Sequence, residues 1–247
     1  MRVFGVIPAR LAASRLPNKV LAEIAGQPMI QHVWQQAAKA RSLDGLCVAT
    51  DSAEIRAVVE GWGGVALMTS PYCRSGTERI ASIVKHLKAD LIINIQGDEP
   101  LIEPALLDAV VSAARDTGAD LITPVYAISE MDDLFSPDIV KVVRGSDGRA
   151  LYFSRSAVPF YRGLDPRDWL NRWVYWGHIG VYAYRMEVIE GYLAIPPSPI
   201  ETAEHLEQLR FLDHGYTIQT IESDYQPVAV DTPGDLDRVR KLFAVEK

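Results

Sequence analysis

A cationic loop after the first apolar segment holds the residues best suited to chemistry. Arg10, Arg15 and Lys19 follow the apolar segment 3–7, and residues 8–19 contain no acid. Such a cluster of positive charges suits a ligand that carries several phosphate groups. Neither GxxxxGK[ST] nor GxGxxG is present here, so side-chain cations would replace much of the usual backbone cradle. On charge alone a solvated basic loop is an equal alternative, but the position after the first strand of an open sheet favours ligand binding.

Two acidic residues are placed to hold a divalent cation beside such a ligand. Asp98 follows the most apolar segment of the chain, and Asp231 follows another short apolar stretch. Mg²⁺ often binds through one or two carboxylates together with substrate phosphates. Each acid also has a structural alternative, because Asp98 could cap the Pro-initiated helix after it and Asp231 could cap the last helix. Spacing alone leaves these alternatives open.

Other polar segments have roles that residue type alone does not decide. The segment 75–79, SGTER, is typical of a helix start with Thr77 as the N-cap, and the free N–H groups of a helix N-terminus can also bind a nucleotide. His178 lies in a strand-like segment, where a satisfied core histidine is more common than a catalyst. Glu207 and Arg210 have the spacing of a surface ion pair on a helix.

The composition argues against several classes of protein. The 247 residues include 25 Lys and Arg against 32 Asp and Glu, a net charge of −7 at pH 7. This balance argues against sequence-independent nucleic-acid binding, so any phosphate-binding cations must be locally concentrated. Cys47 and Cys73 form no CxxC pair, which argues against a disulfide framework or a zinc site. The sequence lacks an apolar run of about 18 residues, the length that would predict a membrane span, and the N-terminus lacks signal-peptide features. We therefore expect a cytoplasmic protein.

Alternating segments predict the fold of the first half of the chain. The order βαβαβαβ predicts an α/β protein with a Rossmann-like, mostly parallel sheet and helices on both faces. The nearly continuous apolar run 91–96 predicts a central strand, buried on both faces. The predicted strands are 3–7, 45–50, 65–68, 91–96 and 120–125, and the predicted helices are 29–40, one beginning at 52, 78–87 and 105–117.

The second half is less regular and predicts a small mixed lobe. A hairpin is expected from 140–143 and 148–153, with a turn at 146–148. The remaining elements are expected to cover the sheet and to provide an oligomer contact. They are a strand at 176–184, a helix at 201–214, a strand at 217–221 and a final helix at 235–243.

Taken together, these motifs resemble the 3-deoxy-manno-octulosonate (Kdo) cytidylyltransferases over nearly the whole chain. The resemblance rests on the order and spacing of IPARLAASRLPNK, GQPMI, SGTER, NIQGDEP, HIGVYAY, EHLEQLR and VDTPGDL. The first of these would also fit the CMP-sialate synthetases, whereas FSR paired with LEQLR favours the Kdo enzymes. The resemblance implies one nucleotidyltransferase domain over 1–247, with a nucleotide-binding half at 1–130 and a sugar-binding and dimerisation half at 131–247.

The resemblance also implies a reaction. CMP would pass from CTP to the anomeric hydroxyl of Kdo, giving CMP-Kdo and pyrophosphate for lipopolysaccharide biosynthesis, with Mg²⁺ as cofactor and a homodimer as the assembly. Arg10, Arg15 and Lys19 would bind the CTP phosphates, and Asp98 and Asp231 would bind Mg²⁺; these five are the expected catalytic residues. The expected nucleotide contacts are Ala9, Arg10, Ser75, Gly76, Thr77 and Glu78, and the expected sugar contacts are Gln96, Arg155, His178, Tyr182, Glu207 and Gln208.

Three alternatives stay open at this point. Residues 161–173 follow no firm family pattern, so an 8-amino analogue of Kdo or a sialate remains a candidate sugar. A protein that binds CTP without turnover is a second alternative, although it need not keep two acids and several cations together. A nicotinamide dehydrogenase is a weaker third, since GxGxxG is lacking. Neither a nucleic acid nor a membrane is an expected partner.

Overall fold

A ten-stranded mixed sheet forms the centre of the protein in the computed structural model, which describes residues 1–11 and 16–245. A separate two-stranded sheet, β2-β3, lies after the first loop. The strands are β1 (Val3–Ala9), β2 (Glu23–Ile24), β3 (Gln27–Pro28), β4 (Gly45–Thr50), β5 (Ala66–Met68), β6 (Leu91–Asn94), β7 (Leu121–Ala127), β8 (Lys141–Arg144), β9 (Ala150–Ser154), β10 (Trp176–His178), β11 (Tyr182–Arg185) and β12 (Ile218–Glu222).

Helices connect most of these strands. None of those in the described residues is both long and apolar enough to cross a membrane. The α-helices are α1 (Met29–Ala37), α2 (Ala53–Gly61), α3 (Gly76–Ile83), α4 (Pro104–Asp116), α5 (Met131–Phe135), α6 (Met186–Gly191), α7 (Pro199–Glu204), α8 (Gln208–Asp213) and α9 (Pro233–Val245). Short 3₁₀ turns occur at Lys19–Leu21, Val84–His86, Pro166–Asn171 and Tyr192–Ala194.

The strand order confirms the predicted fold class. The sheet runs β5-β4-β1-β6-β11-β7-β10-β8-β9, and β12 pairs with β7. Strands β5, β4, β1 and β6 run parallel to one another, and β12 is parallel to β7. Strand β11 from the second half is antiparallel to both β6 and β7, between which it lies. The hairpin predicted from 140–143 and 148–153 is present as β8 and β9.

Both faces of the sheet are covered, because alternate residues of its strands enter two different cores. Val3 and Ile7 of β1 belong to a cluster that includes apolar residues of α1, α2 and α4. Val6 lies in a second cluster, with apolar residues of α3, α6 and α8. A strand buried on both faces needs the continuous apolar pattern that β1 and β6 show.

Two predicted elements are each divided in the structure. The strand expected at 176–184 is two strands, because β10 pairs with β8 while β11 pairs with β6. Between them, the Thr123 hydroxyl lies within hydrogen-bond distance of the carbonyls of Ile179 and Val181. The helix expected at 201–214 is α7 and α8, since His205 adopts a left-handed conformation with φ 53°. Apolar periodicity continues across such a break and does not reveal it.

The packing of β10 against β7 leads to a prediction about Gly177. We expect Gly177→Ala to lower the free energy of unfolding by about 1–3 kcal/mol, because an added Cβ would lie 2.4 Å from Cζ of the buried Tyr126 ring. Gly61→Ala is the control: a Cβ there meets nothing within 4 Å, so we expect no loss and a gain of up to about 1 kcal/mol. Urea denaturation measures both, and equal losses would contradict the packing argument.

Candidate active site

The first element of the site is a cavity of about 260 Å³ beyond the carboxyl ends of β1 and β6, called here the β1 cavity. Open α/β sheets bind ligands at this edge. Gly97 permits the loop after β6 to approach the end of β1 closely, because a Cβ at Gly97 would lie 3.2 Å from the Pro8 carbonyl oxygen. The lining residues are Pro8, Ala9, Arg10, Lys19, Val20, Cys73, Arg74, Ser75, Gly76, Arg79, Gln96, Gly97, Asp98 and Glu207.

Lys19 lies between the two acids that the sequence singled out. Its Nζ is 2.6 Å from Oδ2 of Asp98 and 2.8 Å from Oδ1 of Asp231. Burial by itself would lower the pKa of Lys19, but the charges and hydrogen bonds of the two carboxylates outweigh it, and the pKa is raised. A backbone hydrogen bond brings Asp98 and Asp231 close together, since the N–H of Val230 donates to the Asp98 carbonyl at 3.0 Å.

Neither acid has the capping role that the sequence left open. Helix α4 begins only at Pro104, after Glu103, so Asp98 is not its N-cap. At the start of α9 the capping bonds are made between Thr232 and Asp235, whose carboxylate accepts from the Thr232 N–H at 2.9 Å. The side chain of Asp231 therefore faces Lys19 instead.

Three arginines add positive charge to the β1 cavity. Arg10 is exposed, whereas Arg79 is buried and donates to Asp51 at 3.2 Å and to Thr69. Arg74 forms an ion pair with the buried Glu78, to which its Nε–H donates at 2.9 Å. Arg74 and Arg79 are site residues that the sequence motifs did not single out. Arg79 belongs to the SGTER motif, of which only residues 75–78 were expected to contact the nucleotide.

The N-terminus of α3 divides the expected nucleotide contacts between different places. Its N-cap is Ser75, whose Oγ accepts from the Glu78 N–H at 3.2 Å, so the prediction of Thr77 as N-cap was wrong by two residues. Ser75 and Gly76 line the β1 cavity together with Ala9 and Arg10. Thr77 does not, and Glu78 pairs with Arg74. Burial opposes the charge on Glu78, but the hydrogen bonds from Arg74 prevail and lower the pKa of Glu78.

A second cavity of about 230 Å³, called here the β11 cavity, adjoins the first. Gly76, Gln96 and Glu207 line both, so they mark the boundary between them. Five of the six expected sugar contacts lie here, all except Arg155. The lining residues are Gly76, Thr77, Asn94, Gln96, His178, Gly180, Tyr182, Tyr184, His205, Leu206, Glu207 and Gln208.

Hydrogen bonds orient the polar groups of the β11 cavity. The Glu207 carboxylate accepts from the Thr77 N–H at 3.2 Å, at the positive end of α3. Nε2 of His178 lies 2.9 Å from the Thr123 hydroxyl. The single proton of this hydroxyl goes to a backbone carbonyl, so it accepts from Nε2–H, and Nδ1 of His178 remains an acceptor. Burial lowers the pKa of His178, which keeps the imidazole neutral at pH 7.

Among the described residues, three expected site residues line neither cavity: Arg155, Glu78 and Asp231. The Arg155 guanidinium donates to the carbonyls of Glu204 at 2.8 Å and Pro137 at 2.8 Å. The buried Lys141 ammonium also holds this region, donating to the Arg155 carbonyl at 2.6 Å. Arg15 lies outside the described residues. The structure therefore does not place Arg155 with the other five expected sugar contacts.

The donor set for a metal consists of two carboxylates. No group of three His, Cys, Asp or Glu side chains able to hold a metal ion occurs in residues 1–11 and 16–245. Asp98 and Asp231 nevertheless converge on one cation, the Lys19 ammonium. Two carboxylates at one point, beside a cationic cavity, match the way Mg²⁺ binds with substrate phosphates. The residues present therefore fit such an ion.

Fold and site together define an α/β protein in which a cavity lined by several cations adjoins a second polar cavity. Comparison with known proteins gives the class: the cytidylyltransferase family model matches residues 4–220. The chain belongs to this cytidylyltransferase family.

Individual relatives align with this chain over nearly its full length. A 3-deoxy-manno-octulosonate cytidylyltransferase of Myxococcus xanthus is 46% identical, covering 98% of this chain and 96% of its own. One from Geotalea uraniireducens is 43% identical, covering 97% and 98%. A solved structure of CMP:2-keto-3-deoxy-manno-octonic acid synthetase complexed with CTP is 40% identical and covers 100% of both chains, with a TM-score of 0.94.

The buried carboxyl of Glu99, next to Asp98, leads to a prediction about pH. Burial and the neighbouring charge of Asp98 raise the pKa of Glu99 to about 8, from 4.5 in an unfolded chain. The folded state therefore binds more protons between these values, and the free energy of unfolding falls as pH rises, by at most about 1.4 kcal/mol per pH unit from this group. We expect Glu99→Gln to flatten this fall in denaturation measured from pH 5 to pH 8.

The exposed Glu103 provides the control. Glu103→Gln should retain the wild-type slope of unfolding free energy against pH. If Glu99→Gln retained that slope as well, the Glu99 carboxyl would be ionised in the folded state and the argument from burial would be wrong.

Proposed function

We propose that this protein transfers CMP from CTP to the anomeric hydroxyl of Kdo, giving CMP-Kdo and pyrophosphate for lipopolysaccharide biosynthesis. One observation carries the proposal: a cavity lined by lysine and arginine and a polar cavity lined by neither meet at Gln96 and Glu207 in the described residues. The first suits a nucleoside triphosphate and the second a polyhydroxylated sugar. The names of the relatives and the CTP complex of the solved structure support this choice of substrates.

The β1 cavity would act by binding and by charge. Arg10, Arg74 and Arg79 surround the space for the triphosphate and would stabilise the negative charge that moves to the leaving pyrophosphate. The adjoining cavity would hold the sugar hydroxyl in line with the α-phosphorus, and such positioning supplies much of the rate in a displacement between two bound reactants. Arg15 stays a sequence-based candidate for the same phosphates.

Mg²⁺ is part of the proposal, with Asp98 and Asp231 as the residues that would hold it. When bound, the ion would supply charge neutralisation at the phosphates. Lys19 and a divalent cation would compete for the same two carboxylates, since the ammonium already contacts both. Lys19 would gain a new partner when the triphosphate enters, so nucleotide and metal should each strengthen the binding of the other.

The reaction can be tested directly by pyrophosphate release. The purified protein is incubated with CTP, Kdo and Mg²⁺, with ATP, GTP and UTP replacing CTP and with sialate or 8-amino-Kdo replacing Kdo. Release that requires CTP, Kdo and metal together is the expected result. Release with CTP and another of these sugars would keep the chemistry and change the substrate. CTP binding without release in any mixture would identify a binding protein instead.

The acid pair leads to a prediction about turnover. We expect Asp98→Asn to lower kcat by about 10²-fold or more, the scale for loss of one key electrostatic group. Asp237→Asn changes an exposed carboxylate that pairs with Arg240 and should leave kcat unchanged. Initial rates at saturating CTP and Kdo measure both. Near-normal turnover by Asp98→Asn would remove Asp98 from the proposed metal site.

The competition at the acid pair leads to a prediction about metal affinity without turnover. We expect Lys19→Gln to bind Mn²⁺ about tenfold more tightly than wild type in the absence of CTP, because the competing ammonium is gone. CTP should tighten Mn²⁺ binding in both proteins, but by a smaller factor in the variant, which has no ammonium for the nucleotide to draw away from the carboxylates. Electron paramagnetic resonance of free Mn²⁺ measures both, with the exposed Lys39→Gln as control. Weaker Mn²⁺ binding by Lys19→Gln would show that the lysine supports the metal.

We also propose a homodimer, formed by the second half of the chain. Apolar side chains are exposed there: Phe160 at 74%, Trp173 at 51% and Leu151 at 61%, the last on the terminal strand β9. Phe160 and Trp173 line one surface pocket, and adjoining exposed apolar groups favour a protein contact. Light scattering during size exclusion should give the mass of two chains for wild type and a smaller mass for Phe160→Ser. Leu193→Ser, also at an exposed apolar position, should remain dimeric.

A further inference from the structure

We propose that Asn94 is a specificity-determining residue for the sugar. Its side-chain carbonyl accepts a hydrogen bond from one hydroxyl group of the substrate, and the β11 cavity binds the hydroxyl-bearing part of the sugar instead of its carboxylate. This inference rests on the proposed function and adds a residue that the sequence motifs did not single out.

The burial of Asn94 is the first step of the argument. Three buried apolar residues precede it in β6, and it lies opposite Tyr182 of β11, so the strand carries an amide into an otherwise apolar layer. Its side chain lines the β11 cavity, and the residue is only 3% exposed. Within residues 1–11 and 16–245, Oδ1 of Asn94 has no hydrogen-bond partner.

An unpaired buried carbonyl has a cost, and a ligand can remove it. Leaving such an acceptor unsatisfied costs about 1–3 kcal/mol, so a purely structural residue at this position would be better apolar. The Asn94 side chain already hydrogen-bonds the Tyr184 hydroxyl, opposing the rise in the pKa of Tyr184 that burial causes. The free carbonyl therefore accepts its donor from the cavity.

The other groups in the cavity identify the donor as a hydroxyl. No lysine or arginine lines the β11 cavity among the described residues, and His178 is neutral. The polar groups of its lining residues include three acceptors, Oδ1 of Asn94, Nδ1 of His178 and the carboxylate of Glu207, and the neutral hydroxyl groups of two tyrosines. A substrate carboxylate would be repelled by these acceptors and by the negative charge of Glu207. A substrate hydroxyl group, in contrast, could donate a hydrogen bond to any of the acceptors.

The same reasoning orients the sugar. The cations line the β1 cavity, and the two cavities join at Gln96 and Glu207. The carboxylate and the neighbouring anomeric centre of a keto-acid sugar would face this boundary, and the hydroxyl-bearing chain would extend toward Asn94. This arrangement needs no cation from Arg155, whose guanidinium is bonded to backbone carbonyls.

The test pairs a variant of the residue with variants of the substrate. Kinetics are measured for wild type and Asn94→Leu with Kdo and with Kdo analogues that each lack one hydroxyl. We expect Asn94→Leu to raise KM for Kdo about ten- to hundredfold, the effect of one lost hydrogen bond to a buried group, with KM for CTP within about twofold. For one analogue, the one lacking the bound hydroxyl, wild type and variant should have nearly equal KM.

Controls separate this role from a structural one. Asn171→Leu changes an exposed asparagine that lines neither cavity, and it should leave every KM unchanged. CTP binding by calorimetry reports whether Asn94→Leu is folded, and Asn94→Ala replaces it if it is not. A uniform change for Kdo and all analogues, or an unchanged KM for Kdo in a folded variant, would overturn the inference. Wild type that is inactive with Kdo would instead overturn the proposed function, and this inference with it.

Discussion

The ion triad of Lys19, Asp98 and Asp231 is the interaction on which the rest of the site depends. Two carboxylates that converge on one point repel each other, and the ammonium between them, at 2.6 and 2.8 Å, compensates that repulsion. The three side chains come from the loop after β1, the loop after β6 and the segment before α9. The triad therefore joins the ends of the chain across the edge of the sheet. It also creates a point that either Lys19 or a metal ion can occupy.

Backbone contacts place the three segments that carry the triad next to one another. The bond from Val230 N–H to the Asp98 carbonyl places the segment before α9 beside the loop after β6. Gly97 lets that loop approach Pro8 closely, since a Cβ there would lie 3.2 Å from the Pro8 carbonyl oxygen. On the other side, the break at His205 separates α7 from α8 and lets Glu207 reach the N-terminus of α3. Glu207 consequently lies at the boundary of both cavities, where the two substrates would meet.

Much of the nucleotide side could be predicted from the sequence, because in a parallel sheet the loops after β1 and β6 must meet at one edge. Arg10, Lys19 and Asp98 follow from that rule. Arg79 belongs to the SGTER motif and could have been predicted as a site residue, but an arginine in the first turns of a helix is equally common without any such role. The sugar side needed the family resemblance, since a histidine in a strand or a glutamate in a helix has no distinctive pattern. The position of Arg155 could not be predicted in this way, because its guanidinium bonds to backbone carbonyls of Glu204 and Pro137, far away in the sequence.

The sequence by itself determined the layered α/β architecture, because apolar periodicity records which residues must leave water regardless of their distant partners. It also determined the local concentration of cations after β1. Only the tertiary structure decided that Lys19 contacts both aspartates, that Ser75 caps α3, and that Asn94, with an unpaired carbonyl, lines a cavity that has no lysine or arginine among its described residues. These features depend on contacts between residues far apart in the chain. Their energies come from distances, burial and competing hydrogen bonds, none of which a linear pattern contains.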